Sequence, residues 1–219
     1  MKKRTFLSAV FGLMLVGTNA SATLSPSPVD WIDWTSTTEG TLDIGGTLVG
    51  VTMTGNALDY VDGDYYYNNA NTGGTSAAGT YAGLVPEDLI RVNQSSSFTL
   101  NFDRTIVDPY MALVSVGQRG LGVSYAFEDD VSLVSEGSNW WGPGSYGIVG
   151  STFTGNEFNG VLQLSGSFDS ISFNIENNEH WHGFNFGTSG VRVPEPSVLA
   201  LFGLGLFGMT MAGLRRKAS

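Results

Sequence analysis

The chain has no cysteine. Disulfide staples, thiolate metal sites and cysteine nucleophiles are therefore excluded together, and stability has to come from a packed core. Lysine is absent between Lys3 and Lys217. Over residues 23–192 the only basic side chains besides histidine are Arg91, Arg104, Arg119 and Arg192, set against nineteen carboxylates, a formal charge of −15. Such a surface repels phosphate, so nucleic acid and anionic lipid headgroups are rejected as partners. Histidine is scarce as well, with only His180 and His182. A Ser-His-Asp triad would need one of them, and no G-x-S-x-G elbow occurs. The residues that favour helices are thin on the ground in this span, while Gly, Ser, Thr, Asn and aromatics are plentiful.

The two ends are organised differently from the middle. Met1-Lys2-Lys3-Arg4 is a basic start, an apolar stretch runs from Phe6 to about Gly17, and Ala20-Ser21-Ala22 puts small residues at the positions a signal peptidase reads. Cleavage after Ala22 is the expectation, with residues 1–22 as a signal peptide. At the other end, Pro194-Glu195-Pro196 interrupts regular structure, because proline fixes φ and lacks a donor. Residues 197–214 follow, eighteen in number and without a charge. As a helix they would be about 27 Å long, close to the ~30 Å hydrocarbon core of a bilayer. Arg215, Arg216 and Lys217 come next, a basic stop that stays cytoplasmic under the positive-inside rule. Both ends then agree on one topology, with the folded part outside the inner membrane.

The order Pro194-Glu195-Pro196, apolar segment, Arg215-Arg216-Lys217 resembles a PEP-CTERM sorting signal, over residues 193–219. The resemblance implies handling by an exosortase of a Gram-negative bacterium, a transient inner-membrane anchor, and release or transfer of the ectodomain. It also implies an association with exopolysaccharide production.

Residues 23–192 are long enough for one domain with its own core. Period-two alternation appears in Phe98-Leu100-Phe102, in Ile171-Phe173-Ile175 and in Phe184-Phe186. Residues 110–116 read as a more continuously buried strand, and 47–53, 123–127, 145–153 and 161–164 as further strands. Turn signals such as Gly55-Asn56, Asp62-Gly63 and Gly142-Pro143-Gly144 separate them. The only helical hint is a short turn at Pro86-Glu87-Asp88-Leu89. Residues 68–83, mostly Asn, Gly, Thr, Ser and Ala, read as a long surface loop. The expectation is an all-β, antiparallel β-sandwich of jelly-roll type between a signal peptide and a C-terminal transmembrane helix.

Chemistry in the middle is sparse. His180 and His182 would share one face of a strand and could hold a metal with Glu179 or Asp169, although local hydrogen bonding accounts for them as well. Asp59, Asp62 and Asp64 surround Gly63 and offer hard oxygen donors for Ca²⁺, without meeting the EF-hand pattern. No other cofactor is expected. Trp140-Trp141 and Tyr65-Tyr66 are the candidates for stacking on sugar rings, against the reading that they close the ends of the core. The sequence thus points to a non-enzymatic surface or exopolysaccharide-matrix protein that acts structurally or adhesively. A carbohydrate-binding module is the alternative, and a polysaccharide hydrolase a third. Its partners would be signal peptidase, exosortase, the inner membrane and an extracellular polysaccharide.

Overall fold

The computed structural model describes residues 29–68, 81, 84, 86–139 and 142–191. The signal peptide with Ala20 and Ala22, the pair Trp140-Trp141, and the whole C-terminal signal lie outside the described residues, including Pro194-Glu195-Pro196, the 197–214 helix and Arg215-Arg216-Lys217. Among the described residues, no helix is long and apolar enough to cross a membrane.

The described chain is all-β apart from one helical turn. In order it forms β1 (Asp30–Trp31), β2 (Asp33–Trp34), β3 (Glu39–Ile44), β4 (Thr47–Thr54), β5 (Asp59–Val61) and the short helix α1 (Tyr65–Asn68). Then come β6 (Leu89–Val92), β7 (Ser96–Val107), β8 (Tyr110–Val116), β9 (Val123–Phe127), β10 (Val131–Asn139) and β11 (Gly142–Pro143). Last are β12 (Ser145–Val149), β13 (Thr152–Asn156), β14 (Phe158–Leu164), β15 (Ser167–Glu176), β16 (His182–Thr188) and β17 (Gly190–Val191). They make two antiparallel sheets. The first runs β11-β10-β14-β8-β16-β6-β5, with β1 also on β16; the second runs β12-β13-β9-β15-β7-β4-β3-β2, with β17 also on β7.

Alternation decides what lies between the sheets. In β7, Phe98, Leu100 and Phe102 are buried while Ser97, Asn101 and Asp103 are exposed; in β15, Ile171, Phe173 and Ile175 are buried while Asn174 and Glu176 are exposed. These rows meet β16 of the first sheet. Phe98 lies edge-on to Phe184 with ring centroids 5.6 Å apart, and Phe173 packs on Phe184 at 5.4 Å and on Phe186 at 5.8 Å. Each such pair adds about 0.5–1.5 kcal/mol beyond the area it buries.

The first sheet is buried on its outer face too, which is why β8 and β16 show no exposed residue. Tyr67 and Tyr81 cover it, in one cluster with Leu89, Ala112, Val114 and Val161. Their rings pack edge-on at 5.1 Å; Tyr67 Oη donates to Asp88 O at 3.1 Å and Tyr81 Oη to Leu113 O at 3.3 Å. Within the expected surface loop 68–83 the described residues are Asn68, the last residue of α1, and Tyr81, whose full burial corrects that expectation at its position.

Two further details differ from the sequence reading. Residues 145–153 are not one strand: Gly150-Ser151 is a two-residue turn joining β12 to β13. Gly150 takes φ 59°, which glycine reaches without steric cost. The helical turn expected at Pro86–Leu89 is absent, and the only described helix is α1. Buried polar groups tie the N-terminal strands to the core. Trp34 Nε1 donates to Asn185 Oδ1 at 2.9 Å, and Asn185 Nδ2 donates to Ile32 O at 2.9 Å.

Candidate functional site

The polar groups worth attention gather where β15 hands over to β16. The register of β8 against β14 slips here, Phe158 opposing Val116 and Gly160 opposing Leu113, so that Val114 and Ser115 face Asn159 together. This is a β-bulge, a device that redirects a side chain. Ser115 sits at φ 55° and its N–H is held by Asn159 Oδ1 at 3.0 Å; Glu157 sits at φ 51° and donates its N–H to Gly117 O at 3.0 Å. Left-handed backbone at a non-glycine costs on the order of 1–3 kcal/mol and tends to cluster at functional sites.

Both residues line a pocket of about 150 Å³, with Glu179, His180 and Trp181. Glu179 is the buried member. Its Oε1 accepts the Gly117 N–H at 3.0 Å and touches His182 Nδ1, and the two side chains are 2% and 0% exposed. Burial raises the Glu157 carboxyl above its ordinary range, and the Glu179 charge adds to this, against lowering by the Arg119 N–H and charge and the Ser115 hydroxyl. The histidines do not share a strand face, in contrast to the sequence reading. His180 precedes β16 and is exposed, while His182 opens the strand and is buried against Tyr125, ring centroids 5.6 Å apart. Asp169, named with them as a metal donor, instead accepts from Thr105 Oγ1 at 2.5 Å.

Trp181 connects this pocket to an aromatic surface. The Tyr66 ring packs on it at 4.9 Å, Tyr65 stands edge-on to Tyr66 at 5.0 Å, and Tyr65 is 51% exposed. Pairing of β5 with β6 places Asp59 opposite Arg91. Arg91 Nε donates to Asp59 Oδ1 at 2.6 Å, Nη2 pairs with Oδ2, and Nη1 reaches Tyr66 Oη at 3.5 Å. Asp59 is thus engaged by a guanidinium. Asp62 lines a different cavity, and among the described residues no three His, Cys, Asp or Glu side chains are grouped to hold a metal ion.

That second cavity, about 710 Å³, is lined by Asp30, Asp33, Asp43, Asp62, Glu87 and Asp88 beside Trp31 and Leu48. Asp88 is buried, its Oδ2 accepting the Trp34 N–H at 2.6 Å and Oδ1 the Gly63 N–H at 3.0 Å. Burial pushes its carboxyl up, more than those two bonds lower it, with Asp33 and Asp62 adding; burial and then Asp43 raise Asp30. A carboxyl raised in the folded state binds its proton more tightly there than in the unfolded chain. Its contribution therefore favours folding at low pH and is lost as pH rises from the ordinary carboxylate range through the folded pKa. The expected result is a thermal midpoint that climbs as pH falls toward the ordinary carboxylate range of about 4, with a shallower climb in Asp88→Asn. Equal slopes in the two proteins, read by circular dichroism, would remove Asp88 from the explanation.

Of these groups the sequence singles out the tyrosines, the histidines with Glu179 and Asp169, and Asp59 and Asp62, but not the pocket that joins Glu179 to Ser115 and Glu157. Ser115 and Glu157 carry no motif; only the bulge and the strand order bring them to Glu179. The comparisons with known proteins bear on the other end of the chain. A family model described as the PEP-CTERM protein-sorting motif matches residues 192–217. No curated protein and no solved structure matches the chain. The chain carries a PEP-CTERM sorting motif, the mark of an exported protein sorted by an exosortase.

Proposed function

We propose that this is a cell-surface or exopolysaccharide-matrix protein of a Gram-negative bacterium that acts structurally or adhesively and not as an enzyme. The sorting motif is the observation that carries the reading. In this proposal residues 1–22 are removed by signal peptidase. Residues 197–214 then hold the chain in the inner membrane until exosortase acts at Pro194-Glu195-Pro196. A jelly-roll ectodomain suits the role, and the strand order supports that connectivity. The inner strands run β6-β16-β8-β14 in the first sheet and β7-β15-β9-β13 in the second. Successive strands of these eight cross from one sheet to the other except β9 and β13, which share the second sheet with β10–β12 inserted between them.

The experiment compares wild type with two variants, each tagged after Thr23. One carries Pro194→Gly, Glu195→Ser and Pro196→Gly; the other lacks residues 197–219. The triple variant is expected to accumulate unprocessed in the inner membrane, and the truncation to be released in soluble form. Equal processing of wild type and triple variant would leave a plain membrane anchor and remove the exosortase from the account.

A carbohydrate-binding role is the second reading, favoured by the exposed Tyr65 against the Tyr66–Trp181 pair beside a pocket holding two carboxylates. Flat rings cover the apolar C–H face of a sugar while carboxylates accept from its hydroxyls. A selective glycan-array signal that Tyr65→Ala abolishes is its signature; a purely structural protein gives no selective signal.

A further inference from the structure

We infer that two copies of this chain pair through the free edge of β12, extending the second sheet across a twofold axis at Gly147. β12 ends the second sheet: it pairs with β13, and among the described residues no strand lies on its other side. Its register is unbroken from Ser145↔Asn156 to Val149↔Thr152, without a bulge to twist the edge away. Tyr146 is 41% and Val149 83% exposed. An open strand edge is a template for another strand, and proteins ordinarily shield it with charge, proline or a bulge. β12 has none of these.

Charge identifies the partner as a second copy. From Gly137 to Asn156 there is no Asp, Glu, Lys, Arg or His, in a domain of residues 23–192 that carries nineteen carboxylates against four arginines. At the far ends of the two sheets β2 and β3 present Asp33, Glu39 and Asp43, and β5 presents Asp59 in its pair with Arg91, while β11, the other end of the first sheet, belongs to the same uncharged stretch as β12. Two such domains repel each other over most of their surface, and β12 is where they approach without setting carboxylates face to face.

The backbone pattern is self-complementary. In a two-residue hairpin the closing residues, here Val149 and Thr152, exchange bonds with each other, so by alternation the N–H and C=O of Tyr146 and Ile148 point to the free edge. Antiparallel pairing then matches Tyr146 with Ile148 of the second copy, and Gly147 with Gly147. At that central position, chain neighbours aside, no atom of the described residues lies within 4 Å of where a Cβ would stand. Facing residues of such a non-hydrogen-bonded pair have Cα atoms about 4.5 Å apart, within disulfide reach.

The absence of cysteine makes the test direct, because a single-cysteine variant can form a disulfide only between copies. Full-length Gly147→Cys, purified in detergent and mildly oxidised, is expected to give disulfide dimers at least about tenfold faster than Leu48→Cys, a site 65% exposed away from the edge. Adding Val149→Glu should bring the rate down to that of Leu48→Cys. Sedimentation of the cysteine-free full-length chain should show a dimer that Val149→Glu dissociates. Equal cross-linking at the two positions overturns the proposal, since a dimer held by the C-terminal segment alone would not select the β12 edge. A cysteine-free chain that stays monomeric at all concentrations also overturns it, and would point to a different protein as the occupant of the edge.

Discussion

Glu179→Ala should lower the stability of the folded protein by about 3–5 kcal/mol and its melting temperature by roughly 10 °C. The side chain is 2% exposed, its Oε1 holds the Gly117 N–H at 3.0 Å, and it faces a His182 that is 0% exposed. Removing the carboxylate leaves the Gly117 N–H without its acceptor and takes from the buried His182 ring, whose nitrogens have no hydrogen-bond partner among the described residues, the one carboxylate that faces it, and an orphaned buried group costs far more than the pair it belonged to contributes net. Domains of this size have only about 5–15 kcal/mol to lose. Glu179→Gln keeps the acceptor oxygen and the volume, so it should recover part of the loss; the two variants together stay informative even if the alanine folds poorly. Tyr125→Phe makes the opposite case in the same cluster. The Tyr125 hydroxyl is buried with no hydrogen-bond partner among the described residues, so deleting it should be neutral or slightly stabilising. Denaturant melts that place Glu179→Ala within 1 kcal/mol of wild type, or Tyr125→Phe well below it, would contradict this account of the cluster.

What could be read without a structure follows from how local each signal is. The alternation in Phe98-Leu100-Phe102 and Ile171-Phe173-Ile175 needs only the two-residue period of a strand, and those residues do face the opposite sheet. The continuous apolar run 110–116 matches β8 residue for residue, because burial on both faces erases alternation. The outer cover, Tyr67 and Tyr81, was not foreseen: a single aromatic in a run of Gly, Ser and Ala shows no period, and the burial of Tyr81 depends on the sheet it packs against. The β12–β13 turn was missed because Ile148, Val149 and Phe153 keep the sequence apolar on both sides of Gly150-Ser151 and no charge marks the bend. Site residues suffered most. Asp59 looked like a calcium donor until the β5–β6 register set Arg91 opposite it. Ser115, Glu157 and Glu179 are far apart in the chain and meet only through a bulge, which is a property of two strands together. The sorting motif needed none of this, since it is an order of local compositions that matches its family model directly.

Gly117→Ala should destabilise the fold as severely as the loss of Glu179, by about 3–5 kcal/mol, and the two changes should not add. Gly117 sits at φ 78°, and a Cβ there would stand 2.1 Å from Gly155 O and 2.8 Å from Gly155 C. The obstacle is backbone of β13, which cannot rotate aside as a side chain would. Left-handed φ costs an alanine about 1 kcal/mol relative to glycine, and the overlap forces a shift of the kind that costs about 1–3 kcal/mol in packed interiors. The displaced segment also carries two bonds, the Gly117 N–H to Glu179 Oε1 and the Glu157 N–H to Gly117 O, each 3.0 Å long. Moving Gly117 weakens both, and with them the support of the pocket between Glu157 and Glu179. The double variant Gly117→Ala, Glu179→Ala should therefore lose less than the sum of the single losses by about 1 kcal/mol or more, because the bond they share can be lost only once. Strict additivity in a double-mutant cycle would mean that Gly117 and Glu179 act independently, and that the clash with Gly155 alone accounts for the glycine.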